Sequence, residues 1–160
     1  MLKALTVQDL VVVRSVDVEF KHGLTVLSGE TGAGKSILIE ALGLALGGRA
    51  DSKLVRAGSE RATVTAVFDL SDASEVRTLL ETHGVDADNE CVLRRVLSKD
   101  GRSRSFCNSS PVSVQLLRQI GAGLVDVHAQ HAGRQMLLRE IQRRLLDEYG
   151  DLQAPVAEVN

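Results

Sequence analysis

The eight residues Gly29-Glu30-Thr31-Gly32-Ala33-Gly34-Lys35-Ser36 satisfy the pattern G-x-x-x-x-G-K-[ST] at every fixed position. They lie between a β-rich apolar run, Leu24 to Leu27, and a helix-like one, Ile37 to Leu46. A phosphate-binding loop needs that context, a strand leading into a glycine-rich turn and a helix leading out of it. The segment therefore predicts an α/β chain of the P-loop NTPase type that holds a nucleoside triphosphate.

Each position has a chemical reason. Glycines at 29, 32 and 34 let the backbone curl so that successive N–H groups and the following helix N-terminus point at one anion. Lys35 supplies a mobile point charge for the β- and γ-phosphates, and the Ser36 hydroxyl is a hard ligand for Mg²⁺. The expected nucleotide-binding set is Gly29, Glu30, Thr31, Gly32, Ala33, Gly34, Lys35 and Ser36, with Lys35 also catalytic and Ser36 also on the metal.

The rest of the composition narrows the class. The 160 residues are 44% hydrophobic and 25% charged, ordinary usage for one globular domain able to bury a core. The longest apolar stretch, Ile37 to Leu46, is broken by Glu40 and is too short to span a bilayer, and the N-terminus lacks a signal-peptide pattern, so a cytoplasmic protein without a membrane partner is expected. Cys91 and Cys107 stand apart from any His or Cys cluster and read as reduced, structural thiols rather than zinc ligands. A net charge of −2 does not give the basic footprint of a dedicated nucleic-acid domain, so any DNA contact must be local. Phe20, Phe68, Phe106 and Tyr149 are the whole aromatic supply, too few for a base-stacking platform.

Along the chain, Leu2 to Val7 and Val11 to Phe20 read as extended, with Val16, Val18 and Phe20 alternating with Asp17, Glu19 and Lys21. Two strands ahead of the nucleotide strand favour an ATP-binding-cassette type of head, which enters its phosphate loop through an antiparallel layer. Gly47-Gly48 stops the first helix. Ala62 to Leu70 reads as a strand and Ala73 to Thr82 as a helix capped by Ser71 or Asp72. Cys91 to Leu97 and Arg102 to Cys107 form a hairpin about Asp100-Gly101, a pair able to take the positive φ angles of a tight turn. After Pro111, Val112 to Ile120 reads as a helix closed by Gly121, Leu124 to His128 as a short buried strand, and the stretch from Arg139, with Ile141, Leu145, Leu146 and Tyr149, as a charged helix.

Taken together the residues resemble the RecN family of bacterial DNA repair proteins, a branch of the SMC-like ATPases. The resemblance rests on Ser28 to Ile37, Ala41 to Ala50, Val55-Arg-Ala-Gly58, Leu93-Arg-Arg-Val96 with Asp100-Gly-Arg-Ser-Arg104, and Val127-His-Ala-Gln-His131, in order over residues 1 to about 150. It implies a head of the ABC/SMC type, with a mixed sheet and an N-terminal antiparallel β layer. Residues 1–150 would be the N-terminal part of that head and 151–160 the start of a linker or coiled coil. The coiled coil, the Ser-Gly-Gly signature and the apolar run ending in Asp-Glu that such an ATPase needs are absent, so the C-terminal half of the head lies outside this sequence.

The resemblance further implies that Gln130 is the glutamine-loop residue, catalytic and close to Mg²⁺, although Ala129 replaces the glycine usual before it. It implies ATP and Mg²⁺ as cofactors, a homodimer formed by head engagement and coiled coils, DNA break ends as the object of the whole protein, and a bacterial, nucleoid-associated location. This half alone would bind ATP with little or no hydrolysis, since positioning and electrostatic clamping of the γ-phosphate need the missing parts. His128 and His131 have no third ligand nearby and read as loop histidines. The basic residues Arg94, Arg95, Lys99, Arg102 and Arg104 are the best local candidate for phosphate-backbone contact, with a solvated hairpin face as the equal alternative. The other readings are a transporter cassette, disfavoured by the lack of a suitably placed upstream aromatic, a GTPase or small kinase, for which no guanine-reading motif exists, and a non-hydrolysing nucleotide-binding interaction domain.

Overall fold

Alternation decides the sheet. In Arg61–Asp69, Ala62, Val64, Ala66 and Phe68 point one way and are buried, while the residues between them are half-buried or exposed. The computed structural model describes residues 1–28, 33–86 and 88–125. In chain order these form β1 (Leu2–Leu10), β2 (Val13–Glu19), α1 (Ala33–Ala45), a single 3₁₀ turn (Ser52–Leu54), β3 (Arg61–Asp69), α2 (Ser74–Thr82), β4 (Glu90–Ser98), β5 (Ser103–Cys107), β6 (Ser110–Val112) and α3 (Val114–Leu124). The six strands make one sheet in the order β2-β1-β3-β4-β5-β6, every neighbouring pair antiparallel.

The register places apolar residues opposite one another on the covered face. Val7 faces Val16 and Val64, Ala66 faces Leu93, and Phe68 faces Cys91. α1 packs on this face across β1, β3 and β4 through Ile37, Ala41, Leu44 and Ala45, a stripe at i, i+4, i+7 and i+8. α3 covers β5 and packs on α2, with Leu116, Leu117 and Ile120 buried. Each fully buried Val, Leu or Phe contributes about 1.5–3 kcal/mol relative to exposure.

α1 ends where Gly47-Gly48 predicts. The Gly48 amide donates to Gly43 O at 2.8 Å and the Gly47 amide to Leu44 O at 3.1 Å, the paired bonds of a Schellman cap, with Gly47 at φ +87°. Arg118 Nε donates to Gly47 O at 2.8 Å, so α3 closes the same helix end from outside. The loop beyond is clasped to the β1–β2 corner. Val11 N donates to Leu54 O at 2.7 Å, Arg56 N to Asp9 O at 2.8 Å, and Ser59 Oγ to Asp9 Oδ1 at 2.9 Å. Asp9 and Val11 both have positive φ, and for β-branched Val11 that is a strained conformation.

Several expectations are corrected. Leu24 to Leu27 belongs to none of the strands, and Leu24 and Val26 are 92% and 74% exposed. A strand exists only through the ladder beside it, and no described strand pairs with this segment; the described sheet is antiparallel throughout, in keeping with the N-terminal β layer of a partial head. Gly121 does not close α3, which continues through Leu124. A Cβ at Gly121 would sit 3.0 Å from Leu46 Cβ and one at Gly123 2.6 Å from Val76 Cγ2, so these glycines serve close helix packing. Leu124 is thus helical and Val125 caps the helix, its amide donating to Gly121 O at 3.0 Å, so neither starts a strand; residues 126–128 of that expected strand, the helix from Arg139 and the boundary at 150 lie outside the described residues. Residues 110–112 form β6, and α3 begins after the Ser113 cap, whose Oγ accepts from Leu116 N at 3.1 Å. α2 starts behind Ala73 with no side-chain cap, because Ser71 instead bonds Asp69, its amide to Oδ1 at 2.8 Å. In the β4–β5 hairpin only Gly101 takes positive φ, following a turn closed by Gly101 N to Ser98 O at 3.0 Å.

Candidate nucleotide site

The first turn of α1 carries Gly34, Lys35 and Ser36. The amides of a helix's first turn have no intrahelical acceptor, and the macrodipole adds roughly half a positive charge there. That turn contains no acidic residue to compete for this potential. Lys35 is half-buried and Ser36 exposed. A Cβ added at Gly34 would meet nothing within 4 Å among the described residues.

Beside this helix end is a cleft of about 380 Å³ lined by Val13 and Val16 of β2, Leu27, Ser28, and Gly34, Lys35 and Leu38 of α1. Its lining joins one lysine and one serine to the aliphatic side chains of Val13, Val16, Leu27 and Leu38. The aliphatic wall from β2 was not singled out by the motif, although the alternation of Val16 with its charged neighbours contains it. A second cleft of about 560 Å³, lined by Asp86, Asp88, Asn89, Glu90, Asn108 and others, has the wrong charge for a polyphosphate.

Of the expected set, Gly34, Lys35 and Ser36 come together here, and Ala33 begins the helix. Gly29, Glu30, Thr31, Gly32 and Gln130, with His128 and His131, lie outside the described residues. Among the described residues no cluster of three or more His, Cys, Asp or Glu could hold a metal.

The basic hairpin is not one patch. Arg94 and Arg104 are exposed on the outer face, Arg94 with its guanidinium carbon 4.4 Å from the Phe106 ring centroid. Lys99 pairs with Glu60 at 3.6 Å and Arg102 with Asp100 at 3.0 Å, which offsets two of the charges. Arg95 is on the covered face with Cys91, Leu93 and Leu97 and is 3% exposed, so it is removed from any surface cluster. The signal was in the sequence, since Arg95 falls in phase with the apolar residues of β4.

Cys91 and Cys107 are buried free thiols with Sγ atoms 3.6 Å apart. The hydrogen bond with Cys107 and burial push the Cys91 thiol up, while the same bond lowers Cys107. Among the described residues no helix is long and apolar enough to cross a membrane.

A family model described as AAA domain matches residues 4–148. The chain is 44% identical over 149 residues to the DNA repair protein RecN of Vibrio cholerae and 45% identical over 149 residues to that of Xylella fastidiosa. Each alignment covers 93% of this chain and 27% of the relative, so the chain spans little more than a quarter of their length. The fold is that of an SMC ATPase head. A solved structure from work on the ATP-driven dimerization and DNA stimulated activation of SMC ATPases superimposes with a TM-score of 0.65 at 24% identity, covering 92% of this chain and 97% of its own.

Proposed function

Because this chain belongs to the AAA domain family and corresponds to the N-terminal head segment of the RecN proteins, we propose that it is the ATP-binding part of an SMC-like ATPase that acts in recombinational repair of DNA double-strand breaks. The observation that carries the reading is Lys35 and Ser36 in the opening turn of α1, beside the aliphatic cleft of Val13, Val16, Leu27 and Leu38. In this reading the amides at the start of α1 and of the glycine-rich run before it would donate to the phosphates, Lys35 would neutralise the β- and γ-phosphate oxygens, and the valines of β2 would exclude water from the nucleoside. Mg²⁺, ligated by Ser36, supplies charge neutralisation when bound, and Gln130 orients water near it.

Hydrolysis needs the C-terminal half of the head, with ATP held between two engaged heads of a homodimer joined by coiled coils, on DNA in the bacterial cytoplasm. The segment Leu24 to Leu27, apolar yet exposed, is where the missing half would add its strands. The test is to measure binding and turnover of ATP and GTP by this chain, by its mixture with the C-terminal half, and by the Lys35→Ala form of each. Mg²⁺-dependent adenine-nucleotide binding that Lys35→Ala abolishes, with turnover only in the mixture, is expected. Brisk hydrolysis by the 160 residues alone, or binding indifferent to Lys35, overturns the proposal.

A further inference from the structure

The chain's two cysteines meet inside the sheet. Cys91, the second residue of β4, and Cys107, the last of β5, are both fully buried, and their Sγ atoms lie 3.6 Å apart. Leu93 is the residue directly opposite Cys107, so the thiols are diagonal neighbours on the covered face. A disulfide holds its sulfurs about 2 Å apart, so closing this gap takes about 1.5 Å, a movement within the swing of two side chains.

The residues beside the thiols hold the strands at this spacing. Val92 N donates to Asn108 Oδ1 at 2.7 Å and Asn108 N to Val92 O at 3.0 Å. Asn108 Nδ2 also donates to Asp86 O at 2.7 Å, which ties the same residue to the segment before β4. Asn108 and Ser109 make the two-residue turn into β6, and both hold positive φ although neither is glycine. The thiols are unequal as well as close. When Cys107 ionises, the Cys91 S–H donates to it, and that bond holds Cys107 below the usual thiol range while the bond and burial push Cys91 up.

We infer that Cys91 and Cys107 form a reversible disulfide when the protein meets hydrogen peroxide, a redox-sensitive staple between β4 and β5. The Cys107 thiolate attacks one peroxide oxygen; the O–O bond breaks, and the departing hydroxide takes up the proton that Cys107 released, giving water and a sulfenic acid. The Cys91 sulfur then attacks the Cys107 sulfur, the S–O bond breaks, and the hydroxide leaves with the Cys91 proton as a second water. Two thiols lose two electrons in all, and one peroxide is reduced to two waters. A small dithiol reverses the bond by exchange. Local opening of the Asn108-Ser109 turn admits the oxidant without unfolding the sheet. The bond joins residues 16 positions apart, which restricts the unfolded chain and makes the oxidised protein the more stable form. The staple uses none of residues 29–36 and stands whether or not the ATP reading holds.

The test treats the reduced 160-residue chain with hydrogen peroxide in native buffer, removes the peroxide, caps remaining thiols with iodoacetamide in denaturing urea and reads the intact mass. A monomer that has lost two hydrogens and takes no cap is expected, restored by dithiothreitol, with an unfolding equilibrium constant lower by on the order of a hundredfold in urea titrations. Cys91→Ala should halt the reaction at the sulfenic acid, trapped by dimedone on Cys107. Two capped thiols after peroxide, a disulfide that forms only at urea concentrations that unfold the chain, a disulfide-linked dimer, or an oxidised form no more stable than the reduced one overturns the inference.

Discussion

Two glycines with the same backbone angle separate conformational cost from crowding. Gly47 and Gly58 both have φ +87°, so alanine at either must enter the left-handed region, at roughly 1–2 kcal/mol. At Gly58 a new Cβ meets nothing within 4 Å. At Gly47 it would lie 2.7 Å from Arg118 Cγ, 3.0 Å from Arg118 N and 3.1 Å from Val114 O, two of these being backbone atoms of α3 that cannot swing aside. Overpacking of this kind adds about 1–3 kcal/mol. Moving α3 away would also stretch the bond from Arg118 Nε to Gly47 O. Gly58→Ala should therefore lose about 1–2 kcal/mol and Gly47→Ala about 2–5 kcal/mol, read from urea unfolding midpoints at unchanged m-value. Equal losses in the two variants would refute the claim that α1 and α3 are locked together at Gly47.

Other outcomes follow from the core and the surface. Phe68→Ala removes the largest fully buried side chain and should cost about 3–5 kcal/mol by the same unfolding measurement, with a loss below 1 kcal/mol showing that the site collapses around the deletion. The Asp69 carboxyl is held below its ordinary range, first by the Ser71 hydroxyl and then by the Ser71 amide, so its stabilisation is full above the unfolded-state pKa and fades as pH falls through the lower folded value. Asp69→Asn should thus flatten the acid limb of the stability curve below about pH 4 and leave its slope at neutral pH unchanged; an unaltered acid limb would show that the Ser71 bonds do not form in solution.

Features set by local chemistry were legible in the sequence. The helix that follows the glycine-rich run, the Gly47-Gly48 stop, the alternation of β3 and the β4–β5 hairpin depend on neighbours only a few positions away. Features set by distant partners were not. Gly121 reads as a terminator until Leu46 is seen packed against it. Leu24 to Leu27 has the composition of a strand, but composition cannot supply a hydrogen-bonding neighbour. The cleft wall from Val13 and Val16 depends on β2 passing beside a helix that begins some twenty positions later.

The clasp between the β1–β2 corner and the segment after α1 governs where this chain tolerates a change of length. Arg49 to Lys53 is mostly solvent-facing and ends in a single 3₁₀ turn capped by Asp51, so extra residues there would bulge harmlessly into water. From Leu54 to Arg56 the backbone is bound by Val11, Leu10 and Asp9 in turn, and the Ser59 hydroxyl donates to the Asp9 carboxylate. One inserted residue in that stretch would slip the register and abandon the contacts that hold Val11 in its strained shape, so indels in kindred sequences should gather before position 54 and avoid positions 54 to 59.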